Sequence, residues 1–153
     1  MTNKRETLLR SDIEHYFGFL FSNGYKIREL HFLTTGGDWQ VILESEFHLI
    51  KLFTDRGSLG LEFLPEKTNL HYEIDLGTLI YYMSEGKVFF GYYEGNPRRD
   101  KKKQFQRISG TLKEYLARIT SFLKTDLATH QAELELANRK YGELLQQQVS
   151  QWF

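Results

Sequence analysis

An apolar stripe along the last third of the chain constrains the fold more than any other feature. Apolar residues recur there at steps of three and four, which is the spacing of one face of an α-helix. The stripe thins where three glutamines at 146–148 interrupt it. Its members are Phe105, Ile108, Leu112, Tyr115, Ile119, Phe122, Leu127, Leu134, Tyr141, Leu144 and Trp152. A helix with one apolar face must lie against another surface, either in its own domain or on another chain.

This stripe is too long for one straight helix in a small domain. A helix running unbroken from Lys101 to the end would span roughly 75 Å at a rise of 1.5 Å per residue. We therefore expect a break near residues 124–126, although the pattern leaves open whether there is one helix or two. The narrow stripe on residues 127–152 suits pairing with a partner helix, which predicts a homodimer through the C-terminal helix.

Composition predicts a soluble cytoplasmic protein. The 153 residues are enough to bury one core. Lys and Arg total 20 and Asp and Glu total 20, so the zero net charge predicts no strong attraction to nucleic acid or membrane. The chain has no cysteine, which suits a reducing compartment. It also has no signal-peptide-like start and no run approaching the roughly 20 apolar residues that cross a bilayer.

The first element is predicted to be a helix. Two capping patterns compete for its start, one at Ser11 with Glu14 and a rival at Asn3 with Glu6. Gly24 supplies a left-handed stop. Its apolar face consists of Leu9, Ile13, Tyr16, Phe17 and Leu20.

Four segments with strand-like patterns follow this helix. They lie at residues 25–34, 39–44, 47–53 and 59–64, separated by turns at 36–37, 45–46 and 55–57. Strands joined by such short turns form an antiparallel meander. Pro65 ends the fourth strand. Asp75 then caps a short helix that stops near Gly86, and residues 88–93 are either a short strand or an irregular aromatic loop.

These elements predict an α+β fold with an N-terminal helix, a four-stranded antiparallel meander and C-terminal helices. We divide the chain into an α+β core domain at residues 1–95 and a helical C-terminal segment at residues 96–153. The helical segment packs either on the core or on a partner chain.

No set of residues matches a catalytic or metal-binding pattern. The five histidines show no HExxH spacing, and a chain without cysteine has no thiolate zinc site. The serines lie outside any GxSxG elbow. Four glutamates alternate with apolar residues, as solvent-facing strand positions do: Glu44, Glu46, Glu62 and Glu66. We therefore expect no enzymatic activity, no metal and no cofactor.

Two clusters are candidates for binding. A basic loop at residues 98–107 can hold phosphates, with Tyr93 and Phe105 placed to stack on bases, which makes a nucleic-acid-associated module the alternative function. Not all members of an aromatic cluster between residues 81 and 93 can point into one core from one short helix and one short strand. The cluster is therefore either a partner-binding surface or a satellite core under the charged loop. Tyrosine is favoured at protein interfaces. Our candidate partner-binding residues are Tyr81, Tyr82, Tyr92 and Tyr93 as anchors, with Arg98, Arg99 and Lys101 as the polar rim.

Short patterns in the first half resemble a family of small bacterial proteins, most of them uncharacterised. The patterns are Asn-Gly-Tyr at 23–25, Val-Ile-Leu-Glu-Ser at 41–45 and Phe-Thr-Asp-Arg-Gly at 53–57. The resemblance covers residues 8–64, and several members resemble immunity proteins encoded beside polymorphic toxins. It implies a binding role with no catalytic residues to carry over. We therefore expect a non-enzymatic protein-binding module, with an immunity-like inhibitor of a toxin as its concrete form.

Overall fold

The computed structural model describes residues 3–33 and 37–152, and it shows the predicted α+β fold. One helix comes first, an antiparallel sheet follows, and further helices complete the chain. The helices are α1 (Lys4–Ser22), α2 (Leu76–Met83), α3 (Lys101–Ser121) and α4 (Gln131–Ser150). The strands are β1 (Lys26–Phe32), β2 (Trp39–Glu44), β3 (Leu49–Asp55), β4 (Ser58–Leu64) and β5 (Ile74–Asp75).

The first helix starts at the earlier of the two predicted positions. The side chain of Asn3 accepts a hydrogen bond of 2.8 Å from the backbone N–H of Glu6, as an N-cap residue does. The start at Ser11 is wrong because Leu9 already belongs to the buried face of the helix, with 3% of its surface exposed. Helical geometry must therefore begin a turn before Ser11. Gly24, with φ of +88°, follows the helix and turns the chain into β1.

The four predicted strands are confirmed as an antiparallel meander in the order β1-β2-β3-β4. β3 starts two residues later than predicted, because a hydrogen bond of 3.0 Å from the N–H of Ser45 to the carbonyl of His48 closes a four-residue turn. Arg56 and Gly57 both have positive φ in the β3–β4 turn, as a two-residue hairpin requires. The predicted turn at 36–37 falls partly on residue 36, which lies outside the described residues.

A fifth strand, β5, extends the sheet beyond the prediction. It contains two residues, and it pairs Glu62 with Asp75 and Phe63 with Ile74. Two residues carry no alternation that a sequence pattern can reveal. The strand leads directly into α2, whose N-cap is Asp75 as predicted.

One face of the sheet and the helices form the main core. The register places Val41 beside Leu52 on this face, and Leu52 beside Leu61. The same buried cluster includes Ile13 of α1 and Leu112 of α3, neither of which exposes any surface. The apolar stripe of α3 therefore lies on the sheet and α1 of its own chain.

The other face of the sheet carries a smaller buried cluster, made of Ile42, Leu49 and Leu64. The connection between β4 and β5 is tied to this face by ion pairs. Lys67 lies 2.9 Å from Glu44, and Lys51 lies 2.8 Å from Glu73. These contacts bring residues 65–73 to the sheet.

The helical tail breaks where the sequence predicts. α3 ends at Ser121, a π-helical turn (Phe122–Asp126) and a 3-10 turn (Leu127–Thr129) follow, and α4 begins at Gln131. α4 lies against α2, where the hydroxyl of Thr78 donates to Asn138 over 2.8 Å. The homodimer through α4 stays a prediction. None of the helices within residues 3–33 and 37–152 has the length and hydropathy to span a bilayer.

Candidate partner-binding surface

Residues 88–93 form an irregular loop without helix or strand, which confirms the second of the two predicted alternatives. The segment owes its shape to side chains from α4. The amide of Gln148 binds both backbone groups of Tyr92: its Oε1 accepts from the N–H over 2.8 Å, and its Nε2 donates to the carbonyl over 3.0 Å. This pairing replaces the partner that a strand would have in a sheet.

Two further side chains hold the preceding residues of the segment. The hydroxyl of Tyr141 accepts a hydrogen bond of 3.0 Å from the N–H of Gly91. Arg107 of α3 donates from Nη2 to the carbonyls of Phe90 and Gly91, the latter over 2.7 Å, and its guanidinium lies 3.7 Å above the Phe90 ring. Burial raises the pKa of the Tyr141 hydroxyl and lowers the pKa of Arg107. We call Arg107, Tyr141 and Gln148 the backbone clamp.

The clamped segment and the end of α4 present a group of exposed apolar side chains, which we call the aromatic patch. Its members are Tyr92 and Trp152, which expose 50% and 47% of their surfaces, while Val88 and Phe89, 40% and 39% exposed, lie earlier on the same segment. The rings of Tyr92 and Trp152 lie 6.4 Å apart. Large aromatic side chains on a surface are the residues that most often anchor protein interfaces. The patch is therefore the strongest candidate site for a protein partner.

The four predicted tyrosine anchors do not lie together on one surface. Tyr92 is half exposed in the aromatic patch. Tyr81 and Tyr82 are half-buried on α2, where the Tyr81 ring lies 6.1 Å from Tyr141. The Tyr82 hydroxyl donates to Glu133 of α4 over 3.0 Å. Both α2 tyrosines thus contribute to the packing of α2 on the helical tail.

Tyr93 and the predicted basic rim lie around the start of α3. The Tyr93 hydroxyl donates to Asp100 over 2.7 Å, and Arg99 donates from Nε to the same carboxylate over 3.1 Å. Hydrogen bonds from Arg99 and Tyr93 lower the pKa of Asp100 to about 2. Arg98 packs over the β3–β4 turn, and Lys101 pairs with Asp12 of α1 over 2.8 Å.

Trp152 and Gln148 are two of the site residues that the sequence pattern does not assign to partner binding. Trp152 belongs to the apolar stripe, and that pattern predicts only that it packs like the other members. Gln148 belongs to the glutamine run, and the pattern shows only that this run interrupts the stripe. Its function as a backbone clamp depends on Tyr92, 56 positions earlier. The sequence offers one indication that Trp152 is exposed: this large aromatic residue follows the glutamine run at 146–148, where the apolar stripe has already thinned.

Two polar clusters elsewhere have clear structural roles. His48 lies 2.6 Å from the Tyr25 hydroxyl inside the protein, and burial lowers the pKa of His48 to about 4 and raises that of Tyr25 to about 12. Both groups are therefore neutral near pH 7. On the opposite face of the sheet, burial and a hydrogen bond with Glu73 raise the pKa of Glu62 to about 7. Within the described ranges no three His, Cys, Asp or Glu residues are grouped to hold a metal ion.

Comparison with known proteins gives no relative for this chain. No family model matches it, no curated protein matches it, and no solved structure matches it.

Proposed function

We propose that this chain is a non-enzymatic protein-binding module that acts in the cytoplasm, in concrete form an immunity-like inhibitor of a toxin. The observation that carries the proposal is the aromatic patch, in which Tyr92 exposes 50% and Trp152 exposes 47% of their surfaces. Burying two such rings in an interface removes a large apolar area from water. The short patterns shared with immunity-like proteins in residues 8–64 support the same role.

The backbone clamp makes the patch suitable for tight binding. A segment without regular structure normally loses conformational entropy when a partner orders it. Here three side chains already fix the backbone of residues 90–92 before any partner arrives. The anchors are therefore presented by an ordered segment, and less of the binding free energy is spent on ordering it.

Arg99 suits a polar rim, because it binds the same carboxylate, that of Asp100, as Tyr93, the residue after Tyr92. The side chain of Arg99 is 73% exposed, although its Nε donates to Asp100. An exposed guanidinium can form further hydrogen bonds with carboxylates of a partner. Interfaces commonly combine apolar anchors with such a rim.

The internal contacts of the basic loop favour a protein partner over nucleic acid. Arg107 is directed at the carbonyls of the clamped segment, Lys101 pairs with Asp12, and Arg99 pairs with Asp100. Phe105, the predicted base-stacking residue, exposes only 2% of its surface in the core. A nucleic-acid-associated module would need the Phe105 ring at the surface to stack on bases, and it would need the Arg107 guanidinium free of the clamped segment.

The test begins with the neighbouring gene. If that gene encodes a toxin, its toxic domain is purified and its affinity for the full chain is measured by calorimetry. Tyr92→Ala and Trp152→Ala are each expected to weaken binding by at least about 30-fold, which corresponds to the roughly 2 kcal/mol of an interface hot spot. Leu8→Ala is the matched control, because Leu8 is 55% exposed on α1 and does not belong to the patch.

Growth provides a second readout. Co-expression of the unaltered chain is expected to protect cells from the toxin, and the two patch variants are expected to protect less. The proposal fails if no toxin is encoded nearby. It also fails if the patch variants bind the toxin as tightly as the Leu8→Ala control.

A further inference from the structure

A cleft of about 320 Å³ lies between the first turns of α1, the β3–β4 turn and the start of α3. Its walls are joined by the buried amide of Gln104. The Oε1 of Gln104 accepts from the N–H of Leu59 over 2.9 Å, and its Nε2 donates to the carbonyls of Gly57 and Pro97 over 3.0 and 2.8 Å. With 3% of its surface exposed, this residue fixes the distance between the turn and α3. Hydrogen bonds inside the protein therefore hold the walls of the cleft in place.

Three cationic side chains from different elements line the cleft: Arg5, Arg98 and Lys101. The guanidinium of Arg5 lies 4.2 Å from the centre of the Phe32 ring, which orients it along the wall. Lys101 pairs with Asp12, yet its side chain is 61% exposed. The N-cap residue of α3 is Asp100, whose carboxylate offsets the positive end of the helix dipole, so the positive charge of the cleft comes from the three side chains.

Asp38 is the acidic residue among the described lining residues, and its carboxylate accepts hydrogen bonds from the β3–β4 region of the protein itself. It accepts hydrogen bonds from the Thr54 hydroxyl over 2.9 Å, from the N–H of Arg56 over 2.8 Å and from the N–H of Gly57 over 3.1 Å. Burial acts to raise the pKa of Asp38, but these hydrogen bonds lower it below its usual range. Its oxygens stabilise the β3–β4 turn. Asp12 adds a second carboxylate through its ion pair with Lys101, so three cations against two carboxylates leave the cleft with an excess of positive charge.

Most of the remaining lining is apolar. The Trp39 ring exposes 7% of its surface and stacks on Phe105 with centroids 6.2 Å apart. The apolar lining residues are Leu8, Leu9, Phe32, Trp39, Leu59 and Phe105. Small-molecule sites combine an apolar wall with a few polar groups in this way, and their volumes begin at about 300 Å³.

We propose that this cleft binds a small organic anion, in which one carboxylate or phosphate group is joined to a flat apolar body. The anionic group lies among Arg5, Arg98 and Lys101, because guanidinium and ammonium donors match carboxylate and phosphate oxygens. The apolar body lies against the wall that contains Trp39. This site is separate from the aromatic patch and independent of the proposed protein partner.

Trp39 provides a direct signal for binding. The chain has two tryptophans, so Trp152→Phe leaves Trp39 as the sole source of tryptophan fluorescence. Phenyl phosphate and phenylacetate are titrated separately, which distinguishes a phosphate ligand from a carboxylate ligand. Inorganic phosphate tests the anion alone, and benzyl alcohol tests the ring alone. We expect a saturable change in fluorescence with at least one aromatic anion, with a Kd below about 1 mM, and at least tenfold weaker binding of both single-feature probes.

Neighbouring residues of the same type supply matched controls. Arg98→Ala and Lys101→Ala are each expected to weaken binding of the aromatic anion about tenfold, since each removes a cation that lines the cleft. Arg99→Ala and Lys102→Ala remove the same charges one position away and are expected to leave the affinity within about twofold. Circular dichroism of each variant confirms that it is folded.

Three results would overturn the proposal. The first is the absence of a saturable signal with both aromatic anions. The second is equal affinity for inorganic phosphate and phenyl phosphate, which would indicate an adventitious ion only. The third is an equal loss of affinity in the control variants, which would indicate general attraction to a basic surface.

Discussion

Gly77 of α2 lies where this helix meets Tyr141 of α4, and replacing it with alanine tests that contact. A Cβ at position 77 would overlap the hydroxyl and Cζ of Tyr141 and would lie 2.8 Å from Cε2. The aromatic ring is held in place, because its hydroxyl also accepts from the N–H of Gly91. Gly77→Ala must therefore push α4 away from α2 or break the clamp on residues 90–92.

The expected magnitude combines three effects. Alanine in place of glycine inside a helix favours folding by about 1 kcal/mol. Overpacking at the contact costs about 1–3 kcal/mol, and a buried N–H without its acceptor costs roughly 1–3 kcal/mol. The net effect is a loss of about 3 kcal/mol, which lowers Tm by roughly 6–12 °C in a chain of this size.

Urea denaturation followed by circular dichroism measures this effect. Gly110→Ala is the matched control, since Gly110 lies in α3 with no atom within 4 Å of its Cβ position. That variant is expected to gain up to about 1 kcal/mol, so the same substitution has opposite signs at the two positions. In a Tyr141→Leu background the cost of Gly77→Ala should largely disappear. A stabilising effect of Gly77→Ala in the unaltered chain would refute the α2–α4 contact.

Two further predictions concern a carboxyl pair and the backbone clamp. Folding raises the pKa of Glu62 to about 7 through burial and hydrogen bonding with Glu73, so the native state holds a proton that the unfolded chain releases above its pKa of about 4.5. Stability should fall as pH rises from 5 to 8, by about 1–2 kcal/mol after allowance for solvent screening, and urea unfolding of Glu62→Gln should lack this dependence. Gln148→Ala removes both hydrogen bonds to Tyr92, so exchange of the Tyr92 amide hydrogen should accelerate by about tenfold or more, whereas Gln147→Ala should leave it unchanged. An unaltered pH dependence in the first variant, or equal exchange rates in the second pair, would contradict these assignments.

Local patterns predicted the meander because its elements are specified by neighbouring residues. β2 has the predicted limits, since Trp39, Val41 and Leu43 alternate toward the core. The β3–β4 turn follows from Arg56 and Gly57, where a left-handed backbone favours glycine. The cap at Asp75 depends on an amide two positions away, that of Gly77. In each case the residues that determine the structure lie within a few positions of one another in the sequence.

The candidate site was only partly predictable. Tyr92 was identified because an aromatic cluster of that size exceeds what a short helix and a short strand can bury. For Tyr81 and Tyr82 the same reasoning leaves a surface and a satellite core open, and the fold packs both against α4 while leaving them partly exposed. Spacing along the chain shows that a side chain is large and apolar, but it does not show which distant helix covers it.

The sequence by itself determined the α+β class, the order of its elements and the break in the helical tail, because periodicity, turn residues and caps act over a few positions. The tertiary structure alone decided the shape of residues 88–93. Their backbone groups bind Tyr141 and Gln148, about 50 positions further along the chain. A backbone hydrogen bond to a distant side chain leaves no period in the sequence, so it exists only once α4 is folded against its neighbours.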